Sequence, residues 1–389
     1  MSNGGFHNFF EAGPPVSGER FFGRKVFMRK FENFLKNGTS VIVVGERRIG
    51  KTSVLRQVRY LIAQQQNNPT NLNKPILIEL LWQGVNTTQE LTQEIARSLH
   101  SEIQKQLPDF TKTIDALISK ETNFPTLLRY FKRFQEENYQ LIIILDEVDA
   151  LILDTEPQVA GLLRAIVNEG QAVIACTSFR DPVKLNTLTH YGSPWFNVFC
   201  IMPIGLFTDE ESIELLTLQS NKSGREFTHT EISFLMDVFG NFPFYLQMAG
   251  SYIFNDYRFV SYPQENRMRF LKEAVTAASR QLDFHFPYIV DHLAAEQLNL
   301  VLRVARGKSV SQSRELDELQ VRGIVIKNQK GEYHIFSRVF EEYLKELPEP
   351  TIIEKAKDSK TWKKISSTGS TIIDTALHKA IEIAAEKYL

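Results

Sequence analysis

The segment Gly45-Glu-Arg-Arg-Ile-Gly-Lys-Thr-Ser53 decides how the rest of this sequence is interpreted. The β-branched run Val41-Ile-Val-Val44 stands directly before it and predicts a short buried strand. Apolar residues recur at helical spacing directly after it, at Val54, Leu55, Val58, Leu61 and Ile62. A Gly-x-x-x-x-Gly-Lys-Thr segment between a strand and a helix lets the backbone N–H groups turn inward. The segment therefore predicts a loop that cradles phosphate groups.

The polar residues of this loop have predicted roles. Lys51 is expected to reach the β- and γ-phosphates of a nucleotide, and the Thr52 hydroxyl to ligate Mg²⁺. The start of the following helix adds backbone donors and a favourable dipole. Two interpretations stay open for Arg47 and Arg48, which either line the phosphate site or point at a neighbouring domain. The residues expected to contact the nucleotide are Gly45, Glu46, Arg47, Arg48, Ile49, Gly50, Lys51, Thr52 and Ser53.

The composition indicates a folded, soluble protein of two or three domains. The 389 residues are 43% hydrophobic and 23% charged, as in globular proteins. A net charge of −1 gives no long-range attraction to nucleic acid or to an anionic membrane. We expect no membrane span and no secretory signal, because the sequence shows neither pattern. Cys176 and Cys200 lie in strand-like runs and are interpreted as buried free thiols, which favours a reducing cytoplasm.

Strand-like and helical segments alternate through the first half of the chain. The predicted strands are Val41–Val44, Pro75–Trp82, Leu141–Asp146, Ala172–Thr177 and Asn197–Ile204. The predicted helices are Val26–Leu35, Lys51–Gln65, Thr87–Gln106, Pro125–Asn138 and Pro157–Glu169. This alternation predicts an α/β fold with a parallel five-stranded sheet that helices cover on both faces.

The second half is predominantly helical. Thr208-Asp-Glu-Glu211 predicts a helix start with an N-cap and an acidic first turn. Two helices, a hairpin around Asn328-Gln-Lys-Gly331 and a last helix suggest a winged helix. The tail carries one apolar stripe of an amphipathic helix, expected to pack on the body or, less favoured, to dock a partner. The predicted organisation is an N-terminal arm 1–22, a nucleotide-binding core 23–205, a helical lid 206–283, a winged helix 284–347 and a tail 348–389.

Two acidic residues follow an apolar strand in Leu141-Ile-Ile-Ile-Leu-Asp146-Glu147. The strand ends at the edge of the sheet where the phosphate loop opens and where ligands bind in such sheets. Asp146 is therefore expected to hold the Mg²⁺ shell, directly or through water. Glu147 is interpreted as the group that polarises an attacking water, against the alternative of a solvated residue at a strand end.

A second strand ends in hydroxyl groups, in Ala172-Val-Ile-Ala-Cys-Thr177-Ser178. If it lies beside the strand of the phosphate loop, Thr177 or Ser178 reaches the γ-phosphate or the water. Arg180 is expected either to sense the charge of the γ-phosphate or to form a surface salt bridge. No guanine-recognition pattern is present, so ATP is the default nucleotide.

These motifs together resemble the STAND class of P-loop NTPases, of the archaeal ATPase type, within the AAA-related branch that adds a glutamate after the metal-binding aspartate. The resemblance spans about residues 10 to 345 on domain-sized pattern blocks. Phe21-Phe-Gly-Arg24 looks like the family element that contacts the adenine end, and Gly240-Asn-Phe-Pro243 like the lid element whose proline packs on the base. Asp146-Glu147 resembles the metal-binding and water-activating pair, and Thr177-Ser-Phe-Arg180 the sensor, with one extra residue before the arginine.

The resemblance implies a slow ATPase that acts as a switch. It implies ATP or ADP and Mg²⁺ as ligands, held between the core and the lid, in an ADP-bound closed and an ATP-bound open form. Fewer than about fifty residues follow the winged helix, too few for the repeat array that many members carry. Protein partners in trans or regulated self-association are therefore expected.

Three other functions stay open. A DNA-binding initiator shares the core, lid and winged helix, but Glu315, Asp317 and Glu318 give its recognition segment the wrong sign for phosphate. Nucleic acid is thus a less favoured partner. A ring-forming motor is disfavoured because no arginine occurs between Asp181 and Phe196. A nucleotide-binding scaffold without turnover is disfavoured by Glu147.

Overall fold

The computed structural model describes residues 7–66, 74–107, 122–183, 185, 195–255, 263, 266–328, 330–348 and 369–388. The described chain forms two compact units. The α/β unit spans Pro15–Ile204, and the helical unit combines the chain up to Pro14 with the chain from Gly205 onward. The start of the predicted tail, up to residue 368, and most of the segment between Asp181 and Phe196 lie outside the described residues.

The α/β unit contains a five-stranded sheet in which every pairing is parallel. Its order is β2-β3-β4-β1-β5. The strands are β1 Val41–Val44, β2 Lys74–Glu79, β3 Tyr139–Leu145, β4 Val173–Ser178 and β5 Cys200–Pro203. The helices are α1 Lys25–Lys36, α2 Lys51–Gln66, α3 Thr88–Gln106, α4 Phe124–Glu136, α5 Val148–Asp154 and α6 Gln158–Asn168. The predicted α/β fold with a parallel five-stranded sheet is confirmed.

The strand order brings β4 beside β1, with Val43 opposite Thr177 and Val44 opposite Ser178. The prediction that Thr177 or Ser178 reaches the γ-phosphate requires this pairing of β4 with β1. The sheet is almost entirely apolar: β1, β3 and β4 are buried along nearly their whole length, as strands covered on both faces must be. The phosphate loop and the acidic pair consequently start from rigid, buried strands.

Two strand boundaries differ from the predictions by three residues, and one helix is additional. β2 ends at Glu79 rather than at Trp82, and β5 begins at Cys200 because Trp195–Val198 form a 3-10 turn. The short helix α5 was not predicted at all. Its sequence, Val148-Asp-Ala-Leu-Ile-Leu-Asp154, spans only two turns, which is too short for a periodic apolar pattern to stand out.

The helical unit begins as its sequence predicts. Thr208 caps the first helix by accepting from the Glu211 N–H, and the Glu211 carboxylate accepts from the Thr208 N–H in return. The helices that follow are α7 Asp209–Lys222, α8 His229–Phe239, α9 Pro243–Asn255, α10 Arg267–Ala277 and α11 Ser279–Asp291.

The remaining elements are α12 Ala295–Ala305, α13 Arg314–Val321, β6 Val325–Lys327, β7 Tyr333–Ile335, α14 Arg338–Glu346 and α15 Gly369–Tyr388. The antiparallel pair β6–β7 forms the predicted hairpin. The order helix, helix, hairpin, helix is the one that the winged-helix interpretation requires. Helix α11 runs across residue 283, so the predicted boundary between lid and winged helix falls inside a helix.

The tail helix α15 packs back on the helical unit, against α14, α8 and α11. Its apolar stripe is buried, at Ile373, Ala376, Leu377, Ala380, Ile381, Ala384 and Ala385. The Lys387 ammonium lies 3.5 Å from the Asp237 carboxylate, which also accepts two hydrogen bonds from Arg338. The favoured interpretation, packing on the body, is confirmed.

Between residues 7 and 22, the N-terminal arm has a single 3-10 turn at Gly18–Arg20 and contacts both units. The Phe10 ring is buried in the helical unit and stacks on Phe254 at a centroid distance of 5.5 Å. A Cβ at Gly250 would lie 2.2 Å from the Phe10 ring, so glycine is required there. Further along, in the α/β unit, the Val16 N–H donates to Ser53 Oγ at 3.2 Å.

Gly240 ends helix α8 at a position that only glycine fits. Its φ is +64°, and a Cβ there would lie 1.8 Å from the carbonyl oxygen of Phe336. We expect Gly240→Ala to lower the free energy of unfolding by about 3 kcal/mol, from backbone strain and overlap together. Gly307→Ala is the matched control, because Gly307 has a φ of +65° and nothing within 4 Å of its added Cβ.

Urea unfolding of the full chain measures both glycine variants. The control is expected to lose about 1 kcal/mol, from the backbone conformation alone. Equal unfolding midpoints for the two variants would show that the contact with Phe336 costs nothing.

Candidate functional site

The phosphate loop connects β1 to α2 at the carboxyl edge of the sheet. The Gly45 N–H donates to the Ser178 carbonyl oxygen at 3.3 Å, which ties the loop to β4. A Cβ at Gly45 would lie 2.5 Å from the Ile204 carbonyl oxygen, so the close approach of the backbone requires glycine. Gly50 and Arg48 have φ values of +106° and +62°, the left-handed conformations that turn backbone N–H groups toward one side.

Lys51 lies folded over the loop. Its ammonium donates to the carbonyl oxygens of Gly45 and Glu46, each at 3.0 Å. Burial lowers the pKa of Lys51, and the carboxylates of Glu46, Asp149, Asp146 and Glu147 act in the opposite direction. A cation in this position is placed to bind phosphate charge.

The Asp146 carboxylate joins the loop to the end of β3. Thr52 Oγ1 donates to Asp146 Oδ2 at 2.7 Å, and Thr177 Oγ1 donates to Asp146 Oδ1. Thr52, Asp146 and Thr177 are far apart in the sequence, and the two threonine hydroxyls both donate to the Asp146 carboxylate. A hydroxyl and a carboxylate side by side are the oxygen ligands that Mg²⁺ prefers, so the residues present fit the expected cation.

Glu147 follows with its backbone in the left-handed region, at φ +54°. Its N–H donates to Thr177 Oγ1 at 2.9 Å, while its side chain is exposed. A non-glycine residue in this conformation stores strain, and such residues concentrate at functional sites. The backbone thus fixes Glu147 at the site and leaves its carboxylate accessible to water.

The two hydroxyls at the end of β4 have different positions. Thr177 contacts the acidic pair, whereas Ser178 is buried and its Oγ donates to the Arg180 carbonyl oxygen at 2.7 Å. The geometry therefore favours Thr177 as the hydroxyl that faces the site, and Ser178 as the residue that shapes the turn. Arg180 is half-buried directly after this turn.

Arg24 contacts the loop from outside, and three further predicted residues belong to the loop itself. Arg24, with a φ of +60°, is buried and donates from Nη2 to the Ile49 carbonyl oxygen at 3.2 Å. Glu46 is buried, and its Oε1 accepts from the Arg47 N–H at 3.1 Å, while the Arg47 and Arg48 side chains are exposed. The predicted hydrophobic-Gly-Arg element is thus brought to the phosphate loop.

Residues 35–177, which contain both the loop and the acidic pair, match a family model described as an AAA domain. This part of the chain is therefore similar to AAA domains, and the match supports a P-loop NTPase. No curated protein sequence matches the chain.

Two solved structures share the fold of this chain over nearly its full length. The Walker-type ATPase of Pyrococcus abyssi is 17% identical, with 95% of this chain and 99% of that chain covered and a TM-score of 0.52. The ORC2 protein of Aeropyrum pernix, in ADPNP–ADP complexes, is 11% identical, with 95% and 97% covered and a TM-score of 0.50. At these identities the likeness concerns the fold alone.

Pro243, also predicted to contact the nucleotide, begins helix α9 in the helical unit and not in the α/β unit. The two cysteines of the sheet are free thiols, with Cys176 buried and Cys200 half-buried. Burial raises the pKa of the Cys176 thiol well above its usual range. Across the described ranges, none of the helices has the length and apolar character that crossing a bilayer requires.

Sequence reasoning missed two residues of the site. The Trp82 indole N–H donates to the Asp146 carbonyl oxygen at 2.8 Å, from a position just beyond β2. Asp149, on α5, is a buried carboxylate that accepts from the Phe179 N–H at 3.3 Å. The signal for Asp149 was a third acid in Asp-Glu-Val-Asp149, whereas Trp82 left no sequence signal because its contact is with a backbone atom.

Proposed function

We propose that this chain is an ATP-binding, slowly hydrolysing molecular switch of the STAND type. The observation that carries the proposal is the hydrogen bond between Thr52 Oγ1 and Asp146 Oδ2, which is 2.7 Å long. The two residues are 94 positions apart in the sequence. The bond joins the end of the phosphate loop to the acid after β3, as a site for a triphosphate and its cation needs. The similarity to AAA domains supports the same chemistry.

The residues that would hold the ligands follow from their positions. The loop from Gly45 to Ser53 would hold the phosphates of ATP or ADP through its backbone N–H groups and Lys51. Thr52 and Asp146 would hold Mg²⁺, which when bound neutralises phosphate charge. Arg24 and Pro243 are proposed to lie toward the base, as the family resemblance suggests.

The proposed catalytic work is divided among side chains at the ends of β3 and β4. Glu147 orients the attacking water and accepts its proton. Thr177 fixes the Asp146 carboxylate and the Glu147 backbone at the same time. Arg180, placed after the β4 turn, interacts with the γ-phosphate charge. Lys51 stabilises charge on the transferred group.

Only contacts that differ between the ADP and ATP states can drive a switch. Lys51, Thr177 and Arg180 supply such contacts because each is proposed to interact with the γ-phosphate. A coupling of about 1–3 kcal/mol is enough to shift the population of a signalling switch. We propose that output passes to a protein partner, or to a second copy of the chain, in the cytoplasm.

Calorimetry with MgATP, MgADP and MgGTP tests the nucleotide site. We expect ATP and ADP to bind and GTP to bind more weakly. Light scattering of the ADP- and ATP-loaded protein then tests the switch, with a change in mass or hydrodynamic radius as the expected result. Absence of heat with every nucleotide contradicts the site, and identical scattering contradicts the switch.

A DNA-binding initiator function is the second candidate. It is supported by the fold shared with the ORC2 protein and by the exposed hairpin, where the Lys327 ammonium lies over the Tyr333 ring. The acidic helix α13 speaks against it, since Glu318 is paired with Arg314 and the remaining charge is negative. Salt-dependent binding of duplex DNA at physiological ionic strength would favour this candidate.

A further inference from the structure

The segment Asp146–Asp149, after β3, and the segment Thr177–Phe179, at the end of β4, are joined by three hydrogen bonds. Thr177 Oγ1 donates to the Asp146 carboxylate, and the Glu147 N–H donates to the same hydroxyl at 2.9 Å. The third contact joins the Phe179 N–H to Asp149 Oδ1 at 3.3 Å. The first two contacts involve residues with proposed roles in the reaction. The third holds the same two turns together and has no assigned role.

Asp149 is an unusual residue for a merely structural position. Its side chain is 7% exposed, on the first turn of α5, and burial of a carboxylate costs free energy unless the charge is satisfied. Burial lowers the pKa of Lys51, and the charge of the Asp149 carboxylate is one of those that oppose this shift. The acid is thus buried, within electrostatic range of the phosphate-loop cation, and bonded to the backbone of the proposed sensor segment.

Phe179, which donates to Asp149, lies close to two further residues of the site, Arg180 and Lys51. Phe179 lies between Ser178 and Arg180, and its ring centroid is 6.0 Å from the Lys51 ammonium. A charged acceptor strengthens a hydrogen bond to a backbone N–H relative to a neutral one. Loss of this acceptor removes one of the contacts that hold residue 179, and we expect the position of the adjacent Arg180 to become less well defined.

We propose that Asp149 is a positioning residue for the ATPase reaction, which acts as a hydrogen-bond acceptor that holds the sensor turn Thr177–Arg180 in register with Asp146 and Glu147. This inference rests on the proposed ATPase function. In this proposal Asp149 affects turnover through Phe179 and Arg180. The affinity for ADP depends on the phosphate loop and not on Asp149.

Three variants of the full chain test this role. Asp149→Leu removes the acceptor and keeps the number and branching of the side-chain heavy atoms, and Asp149→Asn keeps an acceptor oxygen without the charge. Asp154→Asn is the matched control, because Asp154 lies on the same helix but is exposed. We expect Asp149→Leu to lower kcat at least tenfold with the Kd for ADP within threefold of the wild type. Asp149→Asn and the control are expected to keep kcat within threefold.

Amide hydrogen exchange gives a second readout that does not depend on hydrolysis. The Phe179 N–H is expected to exchange at least tenfold faster in Asp149→Leu than in the wild type, and at a near wild-type rate in Asp149→Asn. Thermal unfolding checks that each variant is folded, and Asp149→Ala replaces Asp149→Leu if leucine does not fit.

The outcomes separate the two proposals. A wild type that binds ATP but never hydrolyses it overturns the ATPase function, and the inference with it. If the wild type hydrolyses ATP and the kcat of Asp149→Leu equals that of the control, only the role of Asp149 is overturned. The role is also overturned if Asp149→Asn loses as much kcat as Asp149→Leu, if ADP affinity falls in parallel, or if neither acceptor-free variant folds.

Discussion

Replacing Lys51 with alanine is expected to weaken the binding of ATP and ADP at least about 100-fold, on the order of 3 kcal/mol. The Lys51 ammonium donates hydrogen bonds to the loop carbonyl oxygens of Gly45 and Glu46. Without it, the loop itself offers the phosphates only backbone dipoles, which act as partial charges. Titration calorimetry of the variant with MgATP and MgADP measures the loss.

The matched control is Lys132→Ala, which removes an exposed lysine from α4 in the same unit. It changes the net charge equally and is expected to leave both affinities unchanged. Circular dichroism checks that Lys51→Ala keeps its helices. ATP affinity within threefold of the wild type in Lys51→Ala would place the nucleotide elsewhere on the chain.

The sheet and its ligand edge were predictable because buried parallel strands leave an unmistakable pattern. The runs Val41–Val44 and Leu141–Leu145 are almost uniformly apolar, and each ends in the residues that carry chemistry. A parallel sheet places all such ends at one edge, so Thr52 and Asp146 were expected to meet. The 2.7 Å distance between their oxygens confirms that these two side chains meet.

Other features were not predictable, because they depend on tertiary contacts of single residues. Phe10 stands in an arm without periodicity, and only the missing side chain of Gly250 makes room for its ring. Trp82 acts on the backbone carbonyl of Asp146, which any residue offers. Local sequence patterns record the period of an element, whereas such contacts depend on which elements become neighbours.

The choice between Thr177 and Ser178 shows the same limit at the site. Both hydroxyls end one strand, and alternation along a strand sends neighbouring side chains to opposite faces. The sequence therefore restricts the site-facing hydroxyl to one of the two, but does not tell which. The contact between Thr177 and Asp146, and the bond from Ser178 to the Arg180 carbonyl, favour Thr177.

Replacing Glu147 with glutamine is expected to lower kcat by about 10²–10⁴-fold, the usual contribution of a positioned general base. The Glu147 N–H bonds to Thr177 Oγ1, and this backbone contact is kept in the variant. Glutamine also keeps the size of the side chain but cannot accept the proton of the attacking water. We therefore expect ATP affinity within threefold of the wild type, so that the variant accumulates in its ATP-bound state.

Single-turnover hydrolysis of radiolabelled ATP measures the rate, and equilibrium binding of a fluorescent ATP analogue measures the affinity. Glu137→Gln is the matched control, because Glu137 is an exposed acid at the end of α4, in the same unit. Turnover at the wild-type rate in Glu147→Gln would remove Glu147 from the mechanism. A parallel loss of ATP affinity would instead assign the carboxylate to nucleotide binding. A hydrolysis rate that Glu147→Gln lowers, with unchanged ATP affinity, also distinguishes a switch from a scaffold. A scaffold without turnover has no hydrolysis rate that this substitution could lower.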